Sequence, residues 1–305
     1  EWESHYHEMR KFLAYVIGHS PNLREVWKGC DFGPGASIGV SGNATNVGQK
    51  IAKSWSVSPS AYAYAKAAVQ FNWHLVEILL DEGRAAVAVD PDLMKQRFES
   101  KVALVHNNKV SFVPKTVKTH RSIAVEPVLN GFVQKGVDQV LRSRLKRIGI
   151  DLRRQEPNCE MARIGSLADQ EDPWVTIDLS AASDSMSISL VRELLPPEWF
   201  ELLNNLRSRS YEWEGGTTLP YHKFCSMGNG FCFPLETLLF TAACNACGCG
   251  RPGVDFRVYG DDIIVRRSKA AAVIELLADM GFQVNEEKTF IDGPFRESCG
   301  RDWHQ

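Results

Sequence analysis

Three aspartates hold the chemistry that can be read from this sequence. The run Phe256-Arg257-Val258-Tyr259, the pair Gly260-Asp261 and the run Asp262-Ile263-Ile264-Val265 read as two strands joined by a tight turn, with Gly260 free to take the positive φ such turns demand. Two neighbouring acids therefore sit at a hairpin tip. Side chains alternate along a strand, so adjacent carboxylates diverge unless a sharp turn swings one toward a shared point. Left uncompensated, they repel unless a cation neutralises them. A third acid, Asp178, ends the β-rich run Trp174-Val175-Thr176-Ile177 and is followed by the small-residue turn Leu179-Ser180-Ala181-Ala182-Ser183-Asp184. With that strand beside the hairpin, Asp178, Asp261 and one oxygen of Asp262 are expected within metal-bridging distance. Carboxylates, waters and substrate phosphates are the ligand set Mg²⁺ prefers, and two such ions about 3.5–4 Å apart activate an attacking oxygen and stabilise a leaving one.

Positioning these acids requires a mixed framework. Apolar residues recur at helical spacing over 61–82, closed by Gly83, and over 130–148, closed by Gly149. Further helices are expected at 197–209, opened by Pro196-Pro197, at 233–247, and at 269–280, closed by Gly281. Short β-rich runs lie at Trp174 to Ile177, Phe256 to Tyr259, Ile263 to Arg266 and Phe282 to Val284. Without a regular βαβ rhythm, the fold class is α+β. At 305 residues with 44% hydrophobic and 24% charged, the chain can bury a sizeable core, which excludes a disordered protein or a small disulfide scaffold.

Charge is unevenly placed. From Lys101 to Arg154, twelve basic residues face three acidic ones; this net +9 leaves −11 for the rest of a chain whose total is −2. Such a stripe is the footprint of a wall that meets phosphates, although Arg142, Arg144 and Arg147 also suit the solvated face of a helix. Gly33 to Lys50 invites a phosphate-loop reading but fails on spacing, since five residues, not four, separate Gly42 from Gly48 and Lys50 precedes Ile51; it reads as a plain loop. No span of about 18 apolar residues and no signal-peptide layout is present, so a cytosolic compartment and reduced thiols are expected for the eight cysteines. Cys244, Cys247 and Cys249 approach a zinc knuckle, but a second ligand pair is missing, which favours small buried helix residues over metal.

Tyr259-Gly260-Asp261-Asp262, with Asp178 upstream, resembles motifs C and A of right-hand RNA-dependent RNA polymerases. More narrowly, Val113 to Pro127, Asp178 to Met186, Ser226-Met227-Gly228-Asn229-Gly230-Phe231 and Gly293 to Gly300 resemble, in order, the replicase of single-stranded RNA bacteriophages, the leviviruses. The resemblance implies fingers over 1–126 and a palm over 127–305 built on an RRM-like antiparallel sheet, with a fingers insertion near 198–222 and the thumb lying outside this fragment. It implies two Mg²⁺ ions, with Mn²⁺ as a substitute, on Asp178, Asp261 and Asp262, and Lys288 as a proton donor near the leaving pyrophosphate. Lys115, Lys118 and Arg121 match the basic motif that neutralises an incoming triphosphate. Asp184, Ser226, Gly228 and Asn229 match positions that support the nucleotide sugar and template. Cys232 stands where Thr is usual and Glu236 where Asn is usual, the latter as in the phage branch. The implied partners are template and nascent RNA, NTPs and host translation elongation factors Tu and Ts, in the cytoplasm of an infected bacterium and with no membrane. Two alternatives differ in chemistry. A reverse transcriptase shares the palm and a Tyr-x-Asp-Asp turn, whereas a non-catalytic RNA-binding module explains the basic stripe but not three acids.

Overall fold

The computed structural model describes residues 1–33, 37–38, 47–80, 90–117, 119–213 and 215–304, so most of the Gly33–Lys50 loop and Lys118 lie outside the described residues. It is α+β, and the chain divides into two compact units: Glu1–Pro21, Leu141–Phe200 and Cys232–Gln305 in one, Asn22–Val140 and Glu201–Phe231 in the other. The units are thus not parted by one cut at 126/127. The first 21 residues join the segment carrying the three acids, and 201–231 joins the unit formed by 22–140.

In the unit holding the acids, four antiparallel strands run in the order Gln283–Val284, Trp174–Ser180, Asp262–Arg266, Arg257–Tyr259. Val175, Thr176 and Ile177 are buried in succession, as are Ile263, Ile264 and Val265, the mark of strands covered on both faces. On one face Ile264 packs with Met161 and Ala162 of the Glu156–Gly165 helix. That helix runs so close that a Cβ on Gly165 would collide with the carbonyl of Trp174. The Arg267–Asp279 helix also contacts both central strands. Fully burying a Val or Ile side chain contributes about 1.5–3 kcal/mol, so this small sheet is strongly held.

The Cys232–Ala246 helix is buried nearly all round, from Pro234 to Cys244, because the N-terminal Glu3–Ile17 helix packs along it. Trp199 Nε1 donates to the Ile17 carbonyl at 3.1 Å and ties down the end of that N-terminal helix. Phe240 meets Phe282 edge-on, with ring centroids 4.9 Å apart. Among the cysteines, Cys244 is fully buried, all eight are free thiols, and among the described residues no metal-holding group of His, Cys, Asp or Glu is present.

The other unit centres on the Asn108–Thr116 and Thr119–Pro127 hairpin, placed between Ser37–Ile38 and the Ser210–Trp213 and Thr217–Pro220 pair. The single helix expected over 61–82 is two, Tyr62–Phe71 and Trp73–Leu80. Asn72 breaks it: its backbone is extended and its Oδ1 accepts from the Leu75 N–H at 3.1 Å, so side chain and backbone compete for the same donors and a new helix starts. Among the described residues no helix is long and apolar enough to cross a membrane.

Replacing Phe240, which is 0% exposed, with Ala is expected to cost about 3–5 kcal/mol in denaturant unfolding. Replacing Tyr15, which is 80% exposed, is expected to leave the midpoint nearly unchanged.

Candidate active site

The sheet brings Asp178 and Asp262 into direct register across neighbouring antiparallel strands. Asp178 lies within its strand rather than at its end, since pairing continues to Ser180 through Gln283 and Val284. Its N–H donates to Thr289 Oγ1 at 3.1 Å, its carbonyl accepts from the Asn285 N–H at 2.8 Å, and Asn285 Nδ2 donates to its Oδ2 at 3.3 Å. The segment after the Gln283–Val284 strand therefore fixes Asp178 from one side.

Gly260 makes the turn. Its φ is 61°, and its N–H donates to Thr237 Oγ1 at 3.0 Å, which pins the turn to the Cys232–Ala246 helix. A Cβ there would lie 2.5 Å from Phe233 Cε2 and 3.1 Å from Glu236 Oε1. Phe233 in turn packs edge-on against Tyr259, and the Arg142 guanidinium sits 5.6 Å over the Phe233 ring. Arg142, expected on a phosphate-facing or solvated face, thus braces the turn.

The acids divide their roles. Burial, then the charge of Asp261, pushes the Asp178 carboxyl up to about 6, while Lys288 pulls it down. Asp261 is also raised by burial and lowered in part by Lys288. Asp262 is raised to about 6 by burial, against the pull of its hydrogen bonds: Oδ2 accepts from the Cys299 N–H at 2.7 Å and the Ser298 hydroxyl at 2.8 Å. The donors come from the tight turn between the Arg296–Ser298 and Arg301–Trp303 strands, where Cys299 and Gly300 both take positive φ. Among the described residues no three His, Cys, Asp or Glu side chains are spaced to hold a metal. The charge of Asp261 raises Asp178 and, less strongly than burial, Asp262, whose Oδ2 is tied to the Ser298–Cys299 turn. Two half-buried carboxylates, both raised by burial and one further by the other's charge, fit a divalent cation that takes a few protein oxygens and leaves its other positions to water and phosphate.

Lys288 reaches both acids electrostatically, and its Nζ lies 3.9 Å from Glu297 Oε1 rather than beside Glu286 or Glu287. Glu236 was marked in the sequence only by its unusual residue type. It is 8% exposed under the Gly260 turn and raised to about 8 by burial and then by Asp261; its Oε2 has no hydrogen-bond partner among the described residues. The signal that finds it is its position, three residues after Phe233 and one before Thr237 on a helix that meets the turn. Asp184 is exposed in a short 3₁₀ turn, and Ser187, not Ser183 or Asp184, caps the next helix by accepting from the Leu190 N–H at 3.1 Å.

The remaining candidates belong to the other unit. Lys115 and Arg121 lie on the two strands of the 108–127 hairpin; Arg121 pairs in register with Val113 and is exposed. Ser226 is buried and its hydroxyl donates inward to Glu126 at 3.0 Å. Gly228 sits where any Cβ would collide with the Ala124 carbonyl oxygen. Asn229 Oδ1 accepts from the Phe231 N–H at 2.9 Å, while its Nδ2 is buried without a partner among the described residues.

Comparison with known proteins places this arrangement in context. A family model described as RNA replicase, beta-chain, matches residues 2–305. The chain is 39% identical to the RNA-directed RNA polymerase subunit beta of Enterobacteria phage SP, over 98% of this chain and 48% of that protein. It is 36% identical to the RNA-directed RNA polymerase subunit beta of Escherichia virus Qbeta, over 99% of this chain and 47% of that protein. The chain spans about half the length of the curated relatives it matches. Among solved structures, the BmCPV RNA-dependent RNA polymerase at elongation state aligns with a TM-score of 0.50 at 11% identity, over 97% of this chain and 29% of that one, a likeness of fold.

Without divalent cations, the raised carboxyls make folding less favourable as pH rises. Between about 4 and about 6 the folded chain keeps protons on Asp178 and Asp262 that the unfolded chain has lost, and Glu236 extends the window to about 8. Asp261→Asn removes one repelling charge, so in chelator its melting temperature is expected to match the parent near pH 4 and exceed it at pH 7. Thermal melts across that range check the sign.

Proposed function

Because the chain belongs to the RNA replicase β-chain family, we propose that it carries the catalytic centre of an RNA-directed RNA polymerase that copies an RNA template from NTPs. The observation that carries this reading is the pair Asp178 and Asp261, both raised by burial and Asp178 further by the charge of Asp261, at a sheet end where Asp262 stands in register with Asp178. Asp178 and Asp261 would hold two divalent cations there, Mg²⁺ or Mn²⁺, which when bound would supply charge to activate the 3′-hydroxyl of the growing RNA and to stabilise the oxygen leaving the α-phosphate of the NTP. The chain's own groups do the rest. Asp178 and Asp261 hold the ions, and Asp262, fixed by Ser298 and Cys299, holds the shape of the turn. Lys288 balances the carboxylates and donates a proton near the leaving pyrophosphate. Lys115, Lys118 and Arg121 neutralise the triphosphate, and Asp184, Asn229 and the Ser226–Gly230 segment support sugar and template.

In this reading the acidic sheet belongs to the palm and the 108–127 hairpin to the fingers. Template and nascent RNA are the macromolecular ligands. The "subunit beta" in the relatives' names supports a multi-subunit enzyme, for which we propose host elongation factors Tu and Ts as partners inside an infected bacterial cell.

Template-directed incorporation is expected with NTPs and Mg²⁺, to be lost in chelator and to be poor with dNTPs; preferential dNTP incorporation would instead identify a reverse transcriptase. Asp261→Asn is expected to abolish incorporation while the protein stays folded by circular dichroism. Arg121→Ala is expected to raise the apparent KM for NTP and lower kcat, together a loss of roughly tenfold to a hundredfold, because charge on the leaving pyrophosphate grows in the transition state. Unchanged NTP kinetics with a flattened salt dependence of RNA binding would instead place Arg121 on template phosphates.

A further inference from the structure

Outside the aspartate site, Glu126, the next-to-last residue of the Thr119–Pro127 strand, is an acid only 5% exposed. The ionised form of a carboxyl in such a place survives only if donors surround it. They do. The Ser226 hydroxyl donates to Oε1 at 3.0 Å, and the Ser208 hydroxyl donates to Oε2. Behind Ser226, Asn108 Nδ2 donates to its Oγ at 3.1 Å, and the Tyr221 hydroxyl donates to Asn108 Oδ1 at 2.6 Å. Gln134, fully buried, hydrogen-bonds Glu126, donates through Nε2 to the Leu206 carbonyl at 2.8 Å, and accepts the Gly230 N–H at 3.0 Å.

These bonds share one target. Ser226 opens the 226–231 turn and Gly230 lies near its end, so both ends of the turn are tied to one buried cluster. Between them Gly228 is pressed against the Ala124 backbone, with no room for a Cβ. The turn carries Asn229, whose Oδ1 closes the turn on the Phe231 N–H and whose Nδ2 has no partner among the described residues. Burial raises the Glu126 carboxyl above its ordinary range, against the pull of its hydrogen-bond donors, and Gln, of the same length and with an oxygen to accept, is the conservative replacement for it.

We propose that Glu126 is a positioning residue: it anchors the 226–231 turn and so sets where Asn229 presents its amide donor, which makes it a determinant of ribose recognition without touching the nucleotide. The inference rests on the polymerase reading above. A buried acid that served only the core would stabilise the fold and leave selectivity alone, whereas an anchor of the turn governs the geometry of one donor. Small displacements of a positioned group cost rate out of proportion to their size.

The test uses Glu126→Ala, Glu126→Gln and Asn108→Ala in the intact enzyme with two readouts. Hydrogen exchange at the Asn229 and Gly230 amides is expected to accelerate about tenfold or more in Glu126→Ala, while amides of the 108–127 hairpin keep their protection. The ratio of NTP to 2′-deoxy-NTP incorporation is expected to fall about tenfold in Glu126→Ala, mainly through the KM for NTP, and to stay within about twofold in Glu126→Gln. Should Glu126→Ala not fold, Asn108→Ala, which removes the bond to Ser226 from the other side, carries the same expectation at about threefold. Turn amides that exchange as in the parent, or an unchanged ratio in a folded Glu126→Ala enzyme, overturn the inference. A parent enzyme that incorporates no nucleotide defeats the polymerase reading instead, and the exchange measurement still decides whether Glu126 anchors the turn.

Discussion

Carboxyl groups held half out of water, with the charge of Asp261 close enough to raise Asp178, are the constraint around which this chain is built. Asp178 and Asp261 are pushed up by burial, and Asp178 further by its neighbour's charge. A fold free to relax would let them separate into solvent. They stay because each is fastened through its backbone: Asp178 by ladder bonds and by Asn285 and Thr289, Asp261 by a turn whose glycine is locked to Thr237. The hydrophobic sheet and its covering helices supply the stability that offsets the repulsion. Carboxyls perturbed in this way cluster at functional sites.

The supporting groups are layered on the same logic. Asp262 lies beside the pair in sequence, yet its oxygen is saturated by the Ser298 hydroxyl and the Cys299 N–H. That turn takes positive φ at Cys299 as well as Gly300, an unusual backbone at a non-glycine residue, and the arrangement orients a donor at an acid. Arg142 and Phe233 play the corresponding part for Tyr259, stacking under the strand that leads into the Gly260 turn. In the other unit the same economy appears around one acid. A single buried acid, Glu126, gathers Ser208, Ser226 and Gln134, and through Ser226 also Asn108 and Tyr221, so that a glycine-rich turn is held by hydrogen bonds rather than by packing alone.

Much of this was legible in the chain. The helices at 128–147, 197–206, 232–246 and 267–279 follow apolar spacing and breakers, because a helix that buries one stripe writes its period into the sequence. The Gly260 turn and the strand leading to Asp178 are equally local, since a tight turn needs a residue tolerant of positive φ and a buried strand needs a short apolar run. The Asn72 break was not anticipated, because the apolar spacing continues through it and one side-chain cap outweighs that pattern only when the new helix has something to pack against.

The partners of the acids were not legible. Asp178 and Asp262 are 84 positions apart, and their register is set by which strands pair. Glu236 under the turn, Ser298 on Asp262 and Glu126 on Ser226 are contacts between segments whose separation leaves no periodic trace. The sequence by itself determined which residue types stand ready for metal and phosphate chemistry, and which stretches are helix or strand, because those properties depend on neighbours a few residues away. Tertiary structure alone decided which acids repel one another, which is hydrogen-bonded out of the pair, and which serine faces inward, because desolvation and charge coupling depend on distances in space that only the folded chain defines.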